Sequence, residues 1–212
     1  MVNKKYKLLK DKTLSFGRYK LHRIEALCDF GNVRKGDKGG FIEKGSNLSQ
    51  EGDAWVYGNA WVSGNAQVSE DARVSGNVHV SQNARVSGNA LVSENALVYG
   101  NAWVYGDARV YGNAQISGAA CVYRDALVYG NAHVSQNARV FGNAHVSQNA
   151  QVYGNAHVSQ NARVFGNAHV SENALVYGNA LVYENAQVYR DARVSGNAQI
   201  SGNALVSGNA WI

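Results

Sequence analysis

Proline is absent from the 212 residues, and cysteine is nearly so, with Cys28 and Cys121 the only two. A chain without proline keeps every backbone N–H available for pairing, which suits continuous strands. Two cysteines make no disulfide framework, and a reducing cytoplasm is the compartment expected from them. No apolar run approaches the roughly 20 residues of a membrane-spanning helix, so no membrane partner is expected. The first twenty residues carry lysines without the apolar core of a secretory signal. Lysine is confined to the start of the chain: residues 1–50 hold nine Lys and three Arg against five acids, a net +7, whereas residues 51–212 hold eight Arg, no Lys and ten acids, a net −2. A basic end can meet nucleic acid, an acidic protein or anionic lipid, but a short basic segment reads more simply as solvated surface.

What the chain has instead is repetition. Stepping by six from Val56, every position to Ile212 is Val or Ile, giving 27 hexads without insertion or deletion. Two residues before each aliphatic stands Ala, or once Val78. Side chains alternate across a strand, so Val and Ala share one face while the variable residue between them shares the other with the Ser, Tyr or Phe that follows Val. The Gly-Asn or Gln-Asn pair in each hexad supplies a corner, since Gly and Asn tolerate positive φ. A strand of about four residues and a two-residue bend, repeated throughout, predict a solenoid with Val and Ala inside. Asn77, Asn95 and Asn113 fall in one corner register and predict an amide ladder, Ala119 interrupts another, and Val78 overfills a small site.

The consensus V-[SYF]-[GEQ]-[ND]-A-x resembles the hexapeptide repeat of left-handed parallel β-helices, whose triangular coils take three hexads each. The resemblance implies an all-β, left-handed parallel β-helix of about nine 18-residue coils over residues 51–212, about 40 Å long at roughly 4.8 Å per coil. The left hand rests on that resemblance, since the general crossover rule favours the right. Residues 1–50, with strand-like "KKYKLL", "YKLHRIEAL" and "GGFIE", read as a small basic β cap over the first coil. The stretch "HRIEALCDFGNVRKGDKGGFIEKGSNLSQEGDAWVYGNA" resembles the head of uncharacterised bacterial and bacteriophage hexapeptide-repeat proteins, which implies a phage or prophage origin and no established activity.

Hexapeptide β-helices include acyltransferases and a zinc carbonic anhydrase with a histidine at a trimer interface, and histidine is the first catalytic candidate. His133, His145, His157 and His169 lie twelve apart, so successive ones turn to different faces of a three-sided coil and cannot meet on one ion. "HVSQNARVFGNA" stands identically at 133–144 and 157–168, a twelve-residue copying that keeps the interior in register and moves outward residues to new faces. No catalytic residue, metal or cofactor is therefore expected. The alternative, an acyltransferase working between subunits of a trimer, needs a closed pocket that uninterrupted coils do not supply.

The outward columns carry the stronger signal. One face brings together Trp55, Tyr57, Arg109, Tyr111, Tyr129, Arg163, Phe165 and Tyr183; a second holds Trp103, Tyr105, Tyr123, Arg139, Phe141 and Tyr177. These are residue types enriched at protein interfaces, on flat surfaces where apolar strips need covering. The expected function is a non-enzymatic scaffold that binds protein, either itself or a host protein. Self-association is expected as a trimer through a face or as an end-to-end dimer through Trp211 and Ile212 in the last coil, where strand edges are unpaired. Nucleic acid fits poorly, because the repeat region is acidic and Arg139 and Arg193 stand three coils apart.

Overall fold

A computed structural model describes residues 4–212. Three strands lead the chain: β1 (Tyr6–Phe16) pairs antiparallel with β2 (Tyr19–Ala26), and β2 pairs antiparallel with β3 (Lys38–Ile42). Short strands then follow every six residues, beginning with β4 (Trp55–Val56), β5 (Trp61–Val62) and β6 (Gln67–Val68) and ending with Leu205–Val206. Each pairs in parallel with the strand 18 residues later until the last coil is reached, as Arg73 with Leu91 and Leu91 with Arg109. The result is three parallel sheets wound as a β-solenoid of about nine turns: twelve strands including β1–β3, nine from β4, and eight from β6. The solenoid strands are two or three residues long, shorter than the four expected, because only the variable residue and the aliphatic lie in full ladder register. Three-residue strands appear in three successive coils of the eight-stranded sheet, at Trp103–Tyr105, Cys121–Tyr123 and Arg139–Phe141. Among the described residues no helix is long and apolar enough to cross a membrane.

The alternation places side chains as the sequence requires. From Val56 to Val194 every hexad aliphatic is fully buried, as are the alanines from Ala54 to Ala192. Each coil is bonded to the next through its backbone: Ser135 N–H donates to Val152 O at 3.0 Å and Asn137 N–H to Gly154 O at 2.8 Å. At one corner, asparagine amides bond coil to coil without a break from Asn77 through Asn95, Asn113, Asn131, Asn149, Asn167 and Asn185 to Asn203. At another, the ladder runs Asn65, Asn83, Asn101, stops at Ala119, and resumes from Asn137 to Asn155. Val78 stays fully buried in its small site, and Gly76 in the corner before it holds φ +81.

The N-terminal segment continues the solenoid. Phe41 pairs in parallel with Trp61 and Ile42 with Val62, while Leu48 bridges Val68, so Ile42 and Leu48 extend the interior column toward the N-terminus into one core with Ile24, Val33 and Tyr6. Buried Asn47 fastens the joint: its side-chain amide donates to Gly64 O and Ala66 O while its carbonyl accepts from Lys44 N–H. Lys5 is buried despite its charge, its ammonium donating to the carbonyls of Glu51, Gly52 and Ala54 beside the Phe30 ring.

Candidate functional site

The two aromatic faces follow from strand geometry. The nine-stranded sheet aligns Trp55, Arg73, Leu91, Arg109, Leu127, His145, Arg163 and Leu181 in one column. The eight-stranded sheet does the same for Arg85, Trp103, Cys121, Arg139, His157, Leu175 and Arg193. Beside each column stands the residue after the aliphatic, and there the rings stack. Tyr105 lies on Tyr123 at 4.9 Å and 1°, and Tyr123 on Phe141 at 5.0 Å and 8°. On the other face Tyr111 stacks on Tyr129 at 5.0 Å, and Phe165 on Tyr183 at 5.1 Å, each within 6° of parallel. Offset stacks of this kind contribute on the order of 1 kcal/mol per pair.

One expected surface residue lies elsewhere. Trp55 is only 1 % exposed, because the rings of Tyr6 and Phe30 fold over it edge to face at 6.1 and 5.3 Å. Its outward column position is roofed by the N-terminal segment, and the exposed part of that face begins in the coils after it. Tyr57, next in line, is half-buried, and burial raises its phenol pKa. Trp103 is 43 % exposed, with the Arg85 guanidinium 5.0 Å from its ring and Tyr105 edge-on at 6.2 Å. Arg109, Arg139 and Arg163 are exposed; Tyr177 is half-buried and stands two coils beyond Phe141. Trp211 and Ile212 are 72 % and 51 % exposed, Arg193 covering one side of the indole at 4.8 Å.

Arg124 is a contributor that the column pattern overlooked. It sits at a corner, outside the alternating strand positions, yet its guanidinium lies 6.0 Å from the ring centres of both Tyr123 and Phe141. A cation beside a stacked aromatic pair is a recognisable anchor for a partner. The signal for it in the sequence is a non-glycine residue in the corner directly after a tyrosine, as in Tyr123-Arg124 and Tyr189-Arg190.

Three titratable groups on these faces, His145, His157 and Cys121, are held toward their neutral forms. Burial lowers the pKa of His145 and His157, with Arg163 and Arg139 adding a smaller like-charge effect at each. The pKa of the Cys121 thiol is raised, burial outweighing the opposing pull of Arg139, so its thiolate is scarce at neutral pH. His133 and His169 lie on the twelve-stranded sheet, His145 on the nine-stranded one and His157 on the eight-stranded one. Among the described residues no three His, Cys, Asp or Glu side chains gather closely enough to hold a metal ion.

Six stretches of the chain match the YdcK beta solenoid repeat. They are residues 54–70, 66–82, 84–100, 102–118, 174–190 and 198–212. Each spans close to one 18-residue turn, so similarity to the YdcK repeat and the observed strand pairing describe the same unit. No curated protein matches the chain.

Proposed function

We propose that this β-solenoid is a non-enzymatic scaffold whose two aromatic and arginine faces bind protein, beginning with a second copy of itself. The observation that carries the reading is the Tyr105–Tyr123–Phe141 stack with Arg124 beside it. Aligned rings form a rigid, half-buried apolar ridge that loses little side-chain entropy on contact, and aromatic and arginine residues dominate interface energetics. A left-handed hexapeptide coil belongs to the same reading, and so does a phage or prophage origin, under which a host protein is the partner of different sequence.

Light scattering over a range of concentrations tests it. Serine already occupies the ring position in neighbouring coils, for example Ser87 and Ser159, so replacing Tyr105, Tyr123 and Phe141 together by Ser preserves the coil. The expected result is an oligomer that becomes monomeric on this substitution. Contact through Trp211 and Ile212 would instead survive it and disappear on removing those two residues. A wild-type chain that remains monomeric at high concentration would refute self-association.

A further inference from the structure

The ring column of the nine-stranded sheet is complete on both sides of one position. Tyr111 and Tyr129 stack below, Phe165 and Tyr183 stack above, and between them stands Ser147. Two other serines occupy such single gaps, Ser159 between Phe141 and Tyr177 and Ser171 between Tyr153 and Tyr189, each flanked by rings one coil away on either side. These three are 5 %, 8 % and 6 % exposed, and the rings on either side screen them. Serines bordering wider gaps, such as Ser75 and Ser93, are more exposed. At Ser147 both walls are braced from behind by a second ring.

The spacing sets what such a gap admits. Parallel rings touch at about 3.5–4 Å, so a 5 Å centroid step is a slipped stack, and two steps open about 7 Å perpendicular to the rings. That is room for one planar ring in contact with both walls. A cavity of about 210 Å³ occupies the place, lined by Tyr129, His145, Ser147, Gln148, Arg163 and Phe165. Arg163 is exposed at its rim and forms no ion pair among the described residues, and no carboxylate lines the cavity. We propose that this missing rung is a binding site for a planar aromatic carboxylate, whose ring intercalates between Tyr129 and Phe165 and whose carboxylate meets the Arg163 guanidinium. The site is independent of protein binding by the wider faces, because it needs one coil gap and not a strip.

The test uses the full chain and 2-naphthoate, with neutral 2-naphthol for comparison, followed by titration calorimetry. Naphthoate is expected to bind more tightly than naphthol, and Arg163→Gln to bring the two within about twofold of each other by removing a charge-assisted contact. Ser147→Tyr inserts the residue found at Tyr129 one coil below; it is expected to complete a five-ring stack, raise the melting temperature and lower naphthoate affinity at least tenfold. Ser159→Tyr, which closes a different gap, is expected to leave naphthoate binding unchanged. The proposal fails if the wild-type chain shows no binding at millimolar naphthoate, if a folded Ser147→Tyr variant binds undiminished, or if Ser159→Tyr abolishes binding equally.

Discussion

Each corner of the solenoid requires a residue with positive φ, and the chain meets the requirement in two ways. Ten non-glycine residues, among them Gln82, Arg124 and Gln136, hold φ between +57 and +64, while the glycines at other corners reach larger values, such as +73 at Gly112 and Gly178. The glycine corners also differ in the space around them: a Cβ built on Gly118 would lie 2.6 Å from the backbone nitrogen of Gln136 in the next coil, whereas one on Gly58 would meet nothing nearer than 3.8 Å. The atoms nearest Gly58 are the carbonyl oxygen and amide nitrogen of Gly76 in the next coil, at 3.8 and 3.9 Å. Both glycines share the conformational cost of an alanine in the left-handed region, roughly 1 kcal/mol, but only Gly118 adds a backbone clash. Gly118→Ala is therefore expected to destabilise the protein by about 2 kcal/mol more than Gly58→Ala, a difference of several degrees in melting temperature. Equal melting temperatures would show that the coil spacing yields to a methyl group.

At the scale of elements, the solenoid strands and their inward faces are legible in the period alone, because six-residue spacing and two-residue alternation are local properties. The fate of Trp55 is not legible there. Its column position matches that of Arg73 or Arg109, and it is buried only because Tyr6 and Phe30, 49 and 25 residues earlier, fold back over it. No periodicity reports such a long-range contact. The Ser147 gap lies between these cases: its ring neighbours can be read from the 18-residue register, but its burial depends on ring orientation. The fold-back of β1 has a titratable anchor of its own. Tyr6 is 1 % exposed and its hydroxyl donates to Leu48 O at 2.7 Å and Gly45 O at 2.9 Å; burial pushes its pKa up to about 12 from an ordinary 10. The unfolded chain releases this proton first as pH rises, so the stability tied to the neutral phenol is intact below pH 10 and is lost between about 10 and 12. Ultraviolet titration is expected to show one late-ionising tyrosine that Tyr6→Phe removes, with a shallower loss of stability over that pH range. A titration curve unchanged by Tyr6→Phe would place the last-ionising phenol elsewhere.

Over the whole molecule, stability is close to a sum of coil-to-coil contacts, since each coil touches only the coils beside it. The sum is not uniform along the axis. At the N-terminal end, Ile42, Leu48 and the Asn47 hydrogen bonds join the first coils to β1–β3 in one continuous core, while toward the other end Leu205 is 63 % exposed and Val206 is 6 % exposed. A defect in the middle therefore has unequal consequences on its two sides. Val140 is fully buried between Val122 and Val158, and a carboxylate there finds neither a partner nor water. Val140→Asp is expected to cost about 4 kcal/mol or more, enough to open the coils around it and not merely to shift the melting point. The coils before it remain attached to the N-terminal core, whereas those after it keep only their mutual contacts. Limited proteolysis should accordingly cut first between about residues 120 and 160 and then consume the C-terminal coils, leaving an N-terminal fragment that retains its β signal. Fragments of equal lifetime on the two sides would mean that β1–β3 contribute nothing to coil stability, and an uncut, fully β variant would mean that residue 140 does not face the interior.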